Sequence, residues 1–214
     1  RSYQKMFENI NIVESAFLNY GIKEGDIVTV SIPNMPEAAY IFYALSKIGA
    51  VSNMVDPRTS VAGIKEYIEE TNSKMVIMID AAIQKVIAIK DQIPFLKTIV
   101  SVPPSFSFPA PVKLLYNMKN KIDLPSGVID WKNFFASGKS GQSGQSIDTE
   151  NNKDAKDKAV LIVHTGGTTG SPKGVVLSNL NINAIAFQSI LFPNDIRPEH
   201  KWLDIMPPFI AYGI

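Results

Sequence analysis

Residues Leu161 to Ser178, LIVHTGGTTGSPKGVVLS, decide the reading of this chain. The stretch opens on an apolar run, Ala159 to Val163. It turns into Thr165-Gly166-Gly167-Thr168-Thr169-Gly170-Ser171, and after Pro172, Lys173 and Gly174 it becomes apolar again at Val175-Val176-Leu177. The pattern predicts strand, flexible loop, strand. Glycines let a backbone approach a ligand closely and adopt positive φ. Successive free N–H groups in such a loop form a concavity that attracts anions. Thr165, Thr168, Thr169 and Ser171 add hydroxyl donors, and Lys173 adds a mobile positive charge. These are the groups a polyphosphate requires.

Two familiar phosphate loops do not fit. The pattern G-x-x-x-x-G-K-[ST] needs glycine before the lysine, where this chain has Pro172. The pattern G-x-G-x-x-G would need a glycine two residues before Gly167, and there is none. A Gly/Thr-rich surface hairpin without a ligand is the plain alternative. Against it, TGGTTGSPKGV over Thr165 to Val175 resembles the signature loop of the adenylate-forming (AMP-forming) acyl-CoA synthetase and ligase superfamily. The usual form there is close to T-S-G-T-T-G-x-P-K-G-V. Gly166 replaces the common serine, which removes one hydroxyl and keeps the backbone.

Working outward, apolar residues at three- and four-residue spacing predict helices near Tyr3–Tyr20, Glu37–Ile48 and Ser60–Thr71. Strands are expected at Ile27–Ile32, Ala50–Val55, Lys74–Ile79 and Thr98–Val102, with a helix over Ala81–Ile89. Ser178 is a candidate cap for a helix over Asn179–Leu191, and a strand is expected over Trp202–Met206. This alternation argues for an α/β fold, a mostly parallel sheet with helices on both faces. Asn34-Met35-Pro36-Glu37 and Gly49-Ala50-Val51 match the same superfamily, so residues 1–214 are expected to form part of its large N-terminal domain. Ser137 to Asp157, rich in Gly, Ser and Gln, is expected to be a flexible insert. Asp130 to Phe135 is aromatic and reads as core or edge packing. Prolines punctuate Pro103 to Pro125. Its Leu114, Leu115 and Met118 among lysines read either as a peripheral membrane-touching patch or as a solvated helix, the preferred reading.

Composition narrows the classes. A net charge of +1 leaves no nucleic-acid footprint, and the absence of cysteine excludes disulfides and thiolate catalysis. Two histidines cannot build a His-rich metal site. No apolar run approaches the ~18 residues of a span, and the first residues lack a signal-peptide core, so a cytoplasmic protein is expected. The chain begins at Arg1 and stops within an apolar segment, as a piece of a longer protein would.

The resemblance implies a two-step reaction. A carboxylate attacks the α-phosphorus of ATP to give an acyl-adenylate and pyrophosphate, and a thiol, usually of coenzyme A, then displaces AMP. It implies that Thr165, Gly166, Gly167, Thr168, Thr169, Gly170 and Ser171 cradle phosphate, with Thr168 and Thr169 donating and Lys173 steadying pyrophosphate. It implies Mg2+ as well, held by a carboxylate downstream of Ile214, and a C-terminal domain beyond it. Pro207 to Gly213 resembles a second motif, P-x-F-H-x-x-G, that lines the acyl pocket. Phe209, Ile210, Tyr212 and Gly213 are therefore substrate-binding candidates, with Ile210 where histidine is common. An apolar core turn is the alternative. The apolar segment favours a hydrophobic acid, fatty or aryl. An amino-acid adenylation domain would carry an aspartate in Ile205–Ile214 and has none there. A nucleotide-binding module without chemistry is the other competing class. His164 is expected to pack rather than react, and His200 to lie at the surface.

Overall fold

The computed structural model describes residues 2–119, 123–140, 155–165, 173–191, 197, 200, 201, 203 and 205–210. Seven strands form one sheet: β1 (Ile27–Ser31), β2 (Val51–Met54), β3 (Met75–Ile79), β4 (Thr98–Val102), β5 (Val128–Asp130), β6 (Ala159–Thr165) and β7 (Lys173–Ser178). Their order is β5-β4-β3-β1-β2-β6-β7. Every neighbouring pair is parallel except β6 with β7. The helices are α1 (Tyr3–Asn19), α2 (Pro36–Ile48), α3 (Val61–Thr71), α4 (Gln84–Ile87), α5 (Ala110–Lys119), α6 (Trp131–Ser140) and α7 (Asn179–Leu191).

Local chemistry sets the element ends. Pro36 opens α2, where its missing N–H costs nothing, and Gly49 closes it in the left-handed region at φ 77°. Ser60 caps α3 by accepting the Gly63 N–H at 3.1 Å. Ser178 accepts from Asn181 N–H while the Asn181 side chain accepts from Ser178 N–H at 2.9 Å, a reciprocal cap on α7.

Alternation along the strands builds two cores. Val28, Val30, Met75, Ile77, Leu161 and Val163 join α1, α2 and α6 in the larger one. Val76, Met78 and Ile99 join α3 and α4 in the smaller one. Thus helices cover both faces, as the alternation of elements predicts. On the far side, Val176 of β7 and Leu180, Ile185, Phe187 and Leu191 of α7 are exposed.

Three expectations are corrected. Residues Ser137–Ser140 complete α6 rather than begin a linker; Trp131 and Phe134 are fully buried and stack at 5.3 Å, which holds the helix down. The helix expected over Ala81–Ile89 is a 3₁₀ turn at Asp80–Ala82 followed by the one-turn α4, since Ile83, Val86, Ile87 and Ile89 are β-branched and resist helix. Among the described residues of 202–206, none is in a strand. The Pro103–Pro125 segment contains α5, whose Leu114, Leu115 and Met118 are exposed, and no helix is long and apolar enough to cross a membrane among the described residues.

α6 meets α1 at unusually close range. A Cβ on Gly138 would lie 1.9 Å from the Ile12 carbonyl oxygen. Gly138→Ala should therefore force the helices apart and destabilise the fold by about 1–3 kcal/mol or more. Urea denaturation measures this, and an unchanged midpoint would refute the close contact.

Candidate functional site

β6 carries the signature sequence to the C-terminal ends of the parallel strands, where open α/β sheets bind ligands. It pairs with β2 through Ser52–Leu161, Asn53–Ile162 and Met54–Val163. It returns antiparallel into β7, with His164 opposite Gly174 and Thr165 opposite Lys173. The structure thus brings two predicted site residues together at the mouth of the hairpin. Thr165 Oγ1 donates to the Lys173 carbonyl at 3.4 Å, and both residues are exposed. The predicted Gly166, Gly167, Thr168, Thr169, Gly170 and Ser171 lie outside the described residues.

Behind the mouth sits a buried polar chain that sequence reasoning missed. His164 Nε2 is 2.7 Å from Asn53 Oδ1, and its ring stacks on Tyr67 of α3 at 3.8 Å between centroids and 24° between planes. Asn53 is fully buried. Its amide donates to Thr29 Oγ1 at 3.0 Å and toward Thr71 Oγ1 at 3.3 Å. Thr29 donates to Ser73 at 2.8 Å, and Thr71 donates to the Tyr67 carbonyl at 2.6 Å. Because the Asn53 amide nitrogen spends its hydrogens on these oxygens, Asn53 Oδ1 can only accept. His164 must therefore carry its proton on Nε2. Nδ1 is buried without a partner, so protonating it would place an unpaired charge in the interior. Burial accordingly pushes the imidazole below its ordinary pKa, opposed weakly by Glu70. The expected packing role of His164 holds, with a specific hydrogen bond added. A polar Asn53 in the middle of the apolar run VSNMV was the signal available in the sequence.

Gly174 has a packing reason. A Cβ there would meet Ile162 Cγ2 at 3.2 Å and the His164 ring at 3.5 Å. Glycine leaves the imidazole its place against the hairpin.

Of the predicted substrate residues, Phe209 is buried in the larger core and Ile210 is partly buried against it. Tyr212 and Gly213 lie outside the described residues. Pro208 lines a groove of about 640 Å³ between α2 and α7, walled by Ala38, Phe42, Met54, Ile182 and Ile185. His200 is exposed. Among the described residues, no group of three or more His, Cys, Asp or Glu is placed to hold a metal ion.

Comparison with known proteins agrees on one family. The sequence pattern described as AMP-binding enzyme matches residues 1–214. The chain is 28% identical over 207 residues to a long-chain-fatty-acid–CoA ligase of Bacillus subtilis, covering 94% of this chain and 36% of that protein. It is 28% identical over 180 residues to an acetyl-coenzyme A synthetase of Bartonella quintana, covering 82% of this chain and 26% of that one. Its fold is similar to apo MatB from Rhodopseudomonas palustris, with a TM-score of 0.76 at 16% identity over 100% of this chain and 36% of that chain. The chain therefore spans about a quarter to a third of the length of these relatives.

The buried imidazole gives a test with a definite sign. Its folded pKa lies below the ordinary 6.5, so its contribution is complete above about pH 6.5 and is lost as pH falls toward the folded value. Denaturation curves should lose stability between pH 7.5 and 5.5 more steeply in the wild type than in His164→Phe. At neutral pH that variant should be less stable by about 1–3 kcal/mol, since Asn53 Oδ1 is left unpaired. A ¹⁵N spectrum at neutral pH should show Nε2 protonated and Nδ1 bare; the opposite tautomer would overturn the assignment.

Proposed function

Because the chain belongs to the AMP-binding enzyme family, we propose that it is the part of an AMP-forming acid:CoA ligase that receives the ATP polyphosphate. The observation that carries this reading is the β6–β7 register, which sets Thr165 opposite Lys173 at the mouth of the glycine-rich connection. Both side chains are exposed there, and an exposed hydroxyl and ammonium on either side of Gly166–Pro172 suit an anion. ATP and coenzyme A are the substrates that the relatives' chemistry brings. Magnesium would neutralise phosphate charge, and the described residues offer it no cluster of three or more His, Cys, Asp or Glu.

In this reading Thr165, Gly166, Gly167, Gly170 and Ser171 hold the β- and γ-phosphates, and Thr168 and Thr169 donate to oxygens that gain charge as pyrophosphate leaves. Lys173 steadies the leaving group as a point charge. Preorganised donors aimed at developing charge are worth about 10²–10³ in rate each. The hydrogen-bonded chain from His164 through Asn53 to Ser73 supports this role by fixing the strand end from which the loop springs.

The acid is proposed to be hydrophobic, fatty or aryl. The apolar groove beside Pro208 and the predicted Phe209, Ile210, Tyr212 and Gly213 segment favour an acyl body, each buried methylene being worth about 0.8 kcal/mol.

In the full-length protein, Thr169→Ala should lower single-turnover acyl-AMP formation by about tenfold to a thousandfold while the ATP Kd changes much less. Lys173→Ala should act in the same direction and more weakly. Unchanged adenylation in a folded Thr169→Ala protein would remove the loop from the mechanism. In a substrate panel, octanoate or cinnamate should exceed acetate and free amino acids in kcat/KM; a polar amino acid ranking first would reverse the substrate reading.

A further inference from the structure

A second crevice opens at the C-terminal ends of β3, β4 and β5, on the other side of β1 and β2 from the hairpin mouth. Its origin is topological. After β3 the chain turns into the smaller core through Ala82, Ile83 and Val86. After β4 it turns the other way, and Phe106 packs on the larger core. Connections that diverge to opposite faces of a parallel sheet leave a cavity at the strand ends. Here it measures about 470 Å³, within the size range of small-molecule sites.

Asp80 stands at its base, directly after β3. It is only 7% exposed, and its Oδ1 has no hydrogen-bond partner. Ser105, Asp130 and Lys113 beside it are engaged, and Lys132 also lines the crevice. Ser105 donates to Asn117 Oδ1 at 2.7 Å. Asp130 Oδ1 accepts the Lys132 N–H at 2.6 Å and caps α6. Lys113 lies over the Phe106 ring at 5.1 Å. No ion pair to Asp80 is formed among the described residues. A buried carboxyl with an unmet oxygen is costly unless something supplies a donor. Burial raises its pKa, and burial first and the Asp80 charge second raise that of Tyr116 on the cavity wall.

The walls say which donor fits. Phe106, Tyr116, Leu124 and Pro103 are flat or apolar. A metal ion would want several carboxylates or imidazoles, and no such group exists among the described residues. We infer that this crevice is a second ligand site, distinct from the glycine loop, which takes a small organic amine: the ammonium on Asp80 Oδ1 and an aromatic or aliphatic body against Phe106 and Tyr116. The ammonium supplies the missing donor and restores the carboxylate's charge, and the Tyr116 ring on the cavity wall favours the cation further.

The test titrates phenethylamine into the full-length protein by calorimetry, with 3-phenylpropionate as the probe of equal body and opposite charge. Phenethylamine should bind and 3-phenylpropionate should not. Asp80→Asn should weaken phenethylamine about tenfold to a hundredfold. Leu124→Trp, which fills the cavity from its rim, should abolish binding even if the Asp80 variant folds poorly. Failure of the wild type to bind phenethylamine overturns the proposal. So does equal binding by the wild type and both variants, or tighter binding of the propionate; Asp80 would then serve only to begin its 3₁₀ turn. None of these outcomes bears on the glycine loop, whose variants are read by adenylation.

Discussion

The hydrogen bond between His164 and Asn53 is the constraint on which the rest of the site depends. It joins the half-buried end of β6 to β2, and Asn53 passes the link through Thr29, Thr71 and Ser73 to β1 and to the end of α3. Thr29, Asn53 and Ser73 are fully buried. Leaving any one of them unpaired would cost about 1–3 kcal/mol, a large share of a domain's stability. The chain of donors therefore closes in one arrangement only. A one-residue slip of β6 against β2 would turn His164 away from Asn53 and take Leu161 and Val163 out of the larger core to the opposite face of the sheet. Polar satisfaction and apolar burial thus select the same register. That agreement places Thr165 at the C-terminal end of β6 with its backbone direction already fixed.

The sequence carried much of this in local signals. Pro36, Gly49 and Ser60 mark helix ends by rules that act within a few residues: α2 begins and stops, and α3 begins, where those residues say. Ser178 caps α7 for the same reason. The glycine-rich stretch was legible as a family signature, which the AMP-binding enzyme match over residues 1–214 bears out, while Gly166–Pro172 lie outside the described residues. Tertiary facts were not legible. Ser137–Ser140 look like linker by composition, yet Gly138 is the residue that lets α6 touch the Ile12 carbonyl of α1. Composition reports flexibility, whereas the small side chain here serves close packing. The order β5-β4-β3-β1-β2-β6-β7 depends on which face each connection takes, and that follows from packing across long sequence separations. Asn53 and Asp80 could be seen as polar residues in or next to apolar runs. What they face could not be seen, since Asn53 meets a residue of a strand more than a hundred positions later.

Magnitudes decide how the hairpin mouth can work. Thr165 and Lys173 are exposed, and the hydrogen bond between them is long at 3.4 Å, so they hold the loop only weakly. A lysine charge facing phosphate in water at ~4 Å is worth about 1 kcal/mol, and salt screens it further. A rate effect of several orders of magnitude needs donors that are already aimed when charge develops. The rigid part of this site is the buried set behind the mouth: an imidazole held neutral by burial, stacked on Tyr67, and pinned to a fully paired asparagine. In the proposed reading, rigidity in the sheet suits a glycine-rich connection, because a glycine backbone can approach phosphate without a steric penalty. In the same reading the exposed Lys173 adds attraction and speed of capture rather than geometry. On this division of labour, substitutions at Asn53 or Tyr67, neither of which needs to touch a phosphate, should disturb the loop through its anchor. Loss of the lysine leaves that anchor intact.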